Sequence, residues 1–198
     1  SEIGPVHSVR IECRSFLPDW RSGRDYRETY SARASDGGVL RDLSHEVDYA
    51  IWLFGEPEVL WGDLDNTGRL GILSEEMAEG AWRTASGVHV SIGLDYLSRT
   101  PTRFVRASGG GGEIVYDFIA GRLTKHILGR SQDAESFARD RDAIYESQAS
   151  AFVSVLKGEG PGILASGAEA VRSLSVCDAW RRAAASGFTV PESRATLL

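Results

Sequence analysis

The stretch Gly37-Gly38-Val39-Leu40-Arg41-Asp42-Leu43-Ser44-His45-Glu46-Val47-Asp48-Tyr49-Ala50-Ile51-Trp52-Leu53-Phe54-Gly55 reads as a helix with two unlike faces. Glycines open and close it, which suits a tight entry and an αL stop. Leu40, Leu43, Val47, Ala50, Ile51 and Phe54 recur at steps of three and four, one apolar stripe on a 3.6-residue period. At about 100° per residue, Asp42, His45, Glu46 and Tyr49 turn the other way. An acid, an imidazole and a phenol are therefore expected on one face, as a reactive cluster or simply as a wetted surface.

Working outward, alternation comes before and after this helix. Val9, Ile11 and Cys13 alternate with Arg10, Glu12 and Arg14, as in a half-exposed strand. Further strands are expected at 58–64, 77–84, 88–96, 102–107, 113–118 and 122–127. Gly109-Gly110-Gly111-Gly112 lies between two of them and precedes a strand, not a helix, so a turn is expected and not a phosphate cradle. Residues 129–141 are polar and charged and read as a mobile loop. Two helices follow. Ile144, Gln148, Ala151, Phe152 and Val155 stripe the first, which Lys157-Gly158-Glu159-Gly160-Pro161-Gly162 ends. Ala168, Val171, Leu174, Ser175, Ala179 and Arg182 stripe the second, which Gly187 closes. Strands with one early and two late helices predict a single α+β domain over 1–198: a mostly antiparallel sheet with helices packed on one face.

Bulk properties narrow the function. With 198 residues, 42% hydrophobic and 25% charged, the chain can bury a substantial core. A net charge of −6 and no Lys/Arg block argue against nucleic acid or an anionic membrane surface as partner. No apolar run approaches the ~20 residues that span a bilayer, and no basic-then-apolar leader is visible, so a cytoplasmic protein is expected. Cys13 and Cys177 are expected as buried free thiols, and no Cys/His spacing suggests a metal site.

The string Gly-Gly-Val-Leu-x-Asp-Leu-Ser-His-Glu-x-Asp-Tyr at 37–49, followed by Trp-Leu-Phe-Gly-Glu-Pro at 52–57, resembles the signature helix of the Gfo/Idh/MocA oxidoreductases, the family of glucose–fructose oxidoreductase and inositol dehydrogenase. The resemblance extends over the Gly-x-x-Gly-x-Ile-x-x-Asp segment up to Asp117 and the C-terminal helices, and is thin at 62–80 and 127–142. It implies the C-terminal domain of such a protein. An N-terminal Rossmann domain, absent from this chain, would hold most of the NAD or NADP; no Gly-x-Gly-x-x-Gly unit and no Glu-Lys-Pro motif occurs in these residues.

The same resemblance implies that His45 faces nicotinamide and substrate. Many members carry an Asp four residues before this His, where Arg41 stands here; Asp42, three before, is the substitute by position. His45 would then take a hydroxyl proton in oxidation and return it in reduction, with Asp42 orienting it or binding a substrate hydroxyl. Tyr49 would line the pocket, and Asp48 would be structural. In the loop at 17–27, Arg21 and Tyr26 are the candidate substrate contacts, since Arg forks suit carboxylates and aromatic faces suit sugar rings. The implied substrate is a sugar, cyclitol or polyol. The implied assembly is a homodimer or homotetramer through the free sheet face, for which Trp61, Trp82, Tyr96 and Phe104 are the apolar candidates, some of them core residues that the sequence does not sort from the rest. The competing reading is a non-catalytic dimerisation or sugar-binding module on the same fold.

Overall fold

Alternation along β1 (Val6–Arg14) decides the layering. Val9 and Ile11 are buried with Cys13 on one side, whereas Arg10, Glu12 and Arg14 are half-buried on the other. The computed structural model describes residues 2–137, 140–160 and 164–187. Within them, β1 is followed by α1 (Val39–Asp42) and α2 (Ser44–Phe54). Next come β2 (Pro57–Asp65), β3 (Met77–Thr84), β4 (His89–Asp95), β5 (Thr102–Gly109), β6 (Gly112–Asp117), β7 (Arg122–Ile127) and β8 (Asp133–Ser136). Two helices close the order, α3 (Arg141–Leu156) and α4 (Gly167–Ala185). The strands form one eight-stranded sheet in the order β2-β3-β4-β1-β5-β6-β7-β8. Only the β1–β4 pair among them is parallel. The fold is α+β, with a mostly antiparallel sheet.

The helices lie over one half of that sheet. α4 packs on β2 and α2, while α1 and α2 reach β3 and β4. The core between them contains Ile11, Val39, Leu40, Val47, Ile92, Leu94 and the fully buried Trp180. Glycines make room for that indole: a Cβ on Gly62 or Gly80 would lie 2.2 or 2.3 Å from a Trp180 ring atom. Trp180 thereby sets the rotation of α4. The helix buries Ser173, Val176, Cys177 and Trp180, not the stripe through Val171 and Leu174, both of which are exposed.

The structure changes or settles other expectations. The signature helix is two pieces, because Leu43 (φ −102°, ψ 22°) leaves helical geometry between α1 and α2. Residues 133–136, expected in a mobile loop, pair with β7 as an edge strand. Trp82 and Tyr96 are core residues on the helix side, so neither is available to the free sheet face; Trp61 is on that face, beside Ala81. The expected α3 stripe is also left open, with Ile144 and Phe152 exposed and α3 making no extensive contact with any described element. Pro161 and Gly162, read as part of its stop, lie outside the described residues.

The quadruple-glycine run is a turn, as expected. β5 ends at Gly109 and β6 begins at Gly112, whose Cβ would meet the His126 carbonyl at 2.2 Å. Between β2 and β3, residues 66–76 fold back over the core on two side chains. Asn66 donates to the carbonyls of Ile72 (2.9 Å) and Ser74 (2.8 Å), and buried Glu76 accepts from the Leu70 N–H at 2.7 Å. Among the described residues no helix is long and apolar enough to cross a membrane.

Candidate active site

The break at Leu43 divides the polar face of the signature helix into two clusters. Asp42, on the last turn of α1, accepts hydrogen bonds at Oδ2 from Ser31 Oγ and Tyr96 Oη, both 2.6 Å. Burial, and then the bond to Asp42, pushes the Tyr96 phenol far above its ordinary range. Tyr30 is raised in the same direction by burial and the Asp42 charge. No ion pair joins Asp42 to His45 among the described residues, and a break in the helix removes the expectation that residues three apart share a face.

His45 pairs instead with its neighbour Glu46. His45 Nε2 lies 3.1 Å from Glu46 Oε1, and Arg103 Nη2 from β5 lies 2.6 Å from the same oxygen. The imidazole is half exposed, at 50%, whereas the Glu46 side chain is 0% exposed. Glu46 does not belong to the wet face that the 100° rotation predicts. It projects into the helix–sheet seam among Arg103, Tyr49 and Cys13. A carboxylate there is tolerated because Arg103 compensates the lost hydration. Burial pushes the Glu46 carboxyl upward, but His45, the Arg103 charge and Tyr49 together outweigh it and hold the carboxyl below its ordinary value. Burial and the Glu46 charge raise the Tyr49 phenol strongly. They also lift the Cys13 thiol to about 12, which keeps it protonated and inert as a nucleophile.

Aromatic rings continue from this cluster onto the part of the sheet without a helix. The Arg103 guanidinium lies 4.6 Å from the Phe118 ring centroid. Phe118 in turn contacts Tyr49 at 5.7 Å and Tyr116 at 4.7 Å. Arg103 is thus held by a carboxylate and an aromatic face together.

The remaining candidates sit apart from His45. Arg21 is exposed, 5.9 Å from the Tyr30 ring centroid. Tyr26 is half-buried, donates its hydroxyl to the Leu70 carbonyl at 2.9 Å, and is stacked by Arg27 at 4.6 Å. Its polar tip is engaged in holding the 66–76 loop. Trp20 meets Tyr96 edge-on at 5.4 Å, which ties this loop to the Asp42 cluster. A cleft of about 610 Å³ opens between α2 and α4, lined by Asp48, Tyr49, Ile51, Trp52, Arg172 and Ser173 among others. Tyr49 borders both this cleft and the Glu46 cluster. Asp48 accepts from Ser173 Oγ at 2.5 Å and so joins α2 to α4.

Sequence reasoning passed over Glu46 and Arg103. For Glu46 a signal was present: an acid directly after the candidate imidazole. Arg103 lies in an alternating strand, and only the fold brings it to α2. No described strand–turn–helix unit presents backbone N–H groups to a pyrophosphate, since Gly109–Gly112 joins two strands. Nor, among the described residues, do three or more His, Cys, Asp or Glu converge as for a metal ion.

The sequence profile of the GFO/IDH/MocA C-terminal domain matches residues 1–115. The chain belongs to the GFO/IDH/MocA family. No curated protein matches it in sequence. Solved structures share the family fold at low identity. An oxidoreductase from Agrobacterium radiobacter, in complex with NAD+, L-tartaric acid and magnesium, superposes with a TM-score of 0.76 at 21% identity, over 96% of this chain and 57% of that one. The aldose–aldose oxidoreductase of Caulobacter crescentus, complexed with glycerol, gives 0.77 at 20%, over 96% and 56%. UDP-N-acetylglucosamine 3-dehydrogenase from Acidithiobacillus ferrooxidans gives 0.72 at 17%, over 93% and 55%. The chain thus spans little more than half the length of these oxidoreductases. It is an oxidoreductase-family C-terminal domain.

Proposed function

We propose that this domain supplies the acid–base histidine and part of the substrate pocket of an NAD(P)-dependent dehydrogenase or reductase that acts on a sugar, cyclitol or polyol. The observation that carries this reading is His45: a half-exposed imidazole at the start of α2, backed by a fully buried carboxylate. An imidazole with solvent access and a counter-charge beside it has the proton-accepting and proton-donating atoms that acid–base catalysis needs. The polyhydroxylated molecules in two related structures, tartaric acid and glycerol, support the substrate class.

In this reading a nucleotide-binding domain, N-terminal to these residues in the longer protein, holds the NAD or NADP, which when bound supplies the hydride acceptor. His45 takes the proton of the substrate hydroxyl. Asp42, whose Oδ2 is already engaged, contributes through the Ser31–Tyr96 cluster; Tyr49 lines the pocket from the cleft side. Arg21 and Tyr26 stand apart from that cleft and would touch only a substrate that extends to the 17–27 loop. The free sheet face, carrying Trp61 beside a ladder of Arg10, Glu12, Arg14 and Glu79, serves a homodimer or homotetramer, and the enzyme is cytoplasmic. The 198-residue chain alone is expected neither to bind NAD(P) tightly nor to turn over, and calorimetric titration with both dinucleotides checks this.

The test is His45→Ala in the protein that also carries the nucleotide-binding domain, screened against sugars and polyols by nicotinamide absorbance. Hydride transfer should fall by about 10²–10⁴-fold; survival within a few-fold removes His45 as the acid–base group. A second reading, a non-catalytic sugar-binding or dimerisation module, is favoured by one observation: Arg41 stands where many relatives carry an acid, and Asp42 does not reach His45. Turnover of any polyol by the longer protein excludes that reading.

A further inference from the structure

Glu46 is an expensive residue where it sits. A side chain with no solvent exposure at a helix–sheet seam is usually apolar, and replacing a buried ion pair by hydrophobes of similar volume is often neutral or stabilising. The Glu46–Arg103 pair is therefore poorly explained as a stabilising clamp. The environment of His45 supplies another reason. The imidazole is on the first turn of α2, where the positive end of the helix dipole opposes a cationic ring. A carboxylate 3.1 Å from Nε2 offsets that opposition, and Arg103 Nη2 lies 2.6 Å from the same oxygen as its counter-charge, although neither contact has hydrogen-bond alignment and both carboxylate oxygens keep unused acceptor capacity.

We infer that Glu46 is the positioning residue for His45: held by Arg103, its buried carboxylate fixes the imidazole and stabilises the imidazolium formed during proton transfer. The inference rests on the reading of His45 as the acid–base group. In the oxidation direction the substrate O–H bond breaks and its proton passes to an unprotonated imidazole nitrogen. As the C=O double bond forms, the hydride on the same carbon would go to an oxidised nicotinamide, which the nucleotide-binding domain of the proposed longer protein would hold. One proton and one hydride leave the alcohol, and the ring gains the positive charge that Glu46 faces. Arg103 prevents the reverse outcome, protonation of Glu46 itself. The groups facing Glu46 are His45 and Tyr49 from α2, Arg103 from β5 and Cys13 from β1.

The experiment compares Glu46→Gln, Glu46→Asp and His45→Ala in the protein with its nucleotide-binding domain, using the best polyol from the screen. Glu46→Gln should lower kcat about 10- to 100-fold with KM changed less than about threefold. It should also move the acid limb of kcat/KM to lower pH, because an imidazolium without its counter-charge forms less readily. Glu46→Asp should recover part of kcat and restore the limb. If Glu46→Gln does not fold, Glu46→Gln/Arg103→Met removes both charges together, and the same kcat and limb are read. Loss of activity in His45→Ala with a wild-type kcat and pH profile in the Glu46 variants overturns the inference and leaves the function standing. A lower melting temperature with an unchanged pH profile overturns it as well, since Glu46 would then be only structural. Full activity in His45→Ala overturns the functional reading and this inference with it.

Discussion

The two halves of the sheet differ in what covers them. On β3 and β4, alternate side chains facing the helices are buried, among them Ala78, Trp82, Val90, Ile92 and Leu94. On β5, β6 and β7 almost every residue is only half-buried, on both faces. Both halves have complete antiparallel ladders, so hydrogen bonding does not separate them. The helices do. Backbone pairing makes a sheet, but the layer packed upon it makes the core. The Glu46–Arg103 pair lies at the border, where α2 meets β5. A carboxylate there is deep enough to be dry and close enough to the open half to have an exposed imidazole as neighbour.

The comparison predicts a steep difference in tolerance. Trp180→Ala should cost about 4 kcal/mol, the range for a fully buried indole whose cavity cannot collapse. Gly62 and Gly80, which receive the ring, have no side chains to move into the space. Phe137, exposed beside Tyr116 at the open end, should cost under about 1 kcal/mol when truncated to Ala. Urea unfolding of both variants checks the ratio. Equal losses would mean that the two halves are one cooperative core.

The border should show its own signature. Glu46→Ala leaves Arg103 unpaired and should cost about 3 kcal/mol, with Glu46→Gln costing less. The folded Glu46 carboxyl lies below its unfolded value, so its stabilisation is fully present above that unfolded value, about 4.3, and is lost as pH falls through the lower folded one. The stability gap between the wild type and Glu46→Gln should therefore be widest near neutrality and close in acid. A gap that grows on acidification would contradict the pairing.

Thiol chemistry probes the covered half without mutation. Burial lifts Cys13 to about 12 and Cys177 to about 11, the first on β1 beneath the helices and the second on the buried face of α4. Neither should react with a thiol-disulfide reagent at pH 8 within minutes, and both should titrate in denaturant. Trp180→Ala should speed Cys177 before Cys13, because Cys177 shares its helix with the deleted ring.

These contrasts bear on how much a sequence can say. Seven strands are legible, β1 and β4 from alternation, which reports a sheet with unlike faces, and the others from runs carrying β-branched or aromatic residues. β8 is not: Asp133–Ser136 is exposed throughout and is a strand only because β7 offers an edge. The rotation of α4 is not legible either. Val171 and Leu174 obey helical periodicity, yet Trp180 fitting against two distant glycines decides which face is buried. At the site, His45 was read from its motif, but its carboxylate partner was sought one helical turn away. The break at Leu43 is a local backbone event with no Pro or Gly to announce it, and it changes which acid meets the ring. Arg103 could be found only by folding the chain.

The smallest predicted effect is the most discriminating for α3. Phe152 is 56% exposed and Leu156 71%, on a helix that makes no extensive contact with another described element. A residue buries no area that it does not already hide, so Phe152→Ser should change the stability of the 198-residue chain by less than about 0.5 kcal/mol. In the proposed longer protein the same substitution gives a different result if a nucleotide-binding domain covers this helix: a melting temperature lower by several degrees, because a buried ring is then lost. Differential scanning fluorimetry on the two lengths side by side reads both numbers. A matching null shift in each would leave α3 uncovered in the longer protein. A shift confined to the longer protein would place α3, unlike α4, among the elements whose packing partner lies beyond this domain.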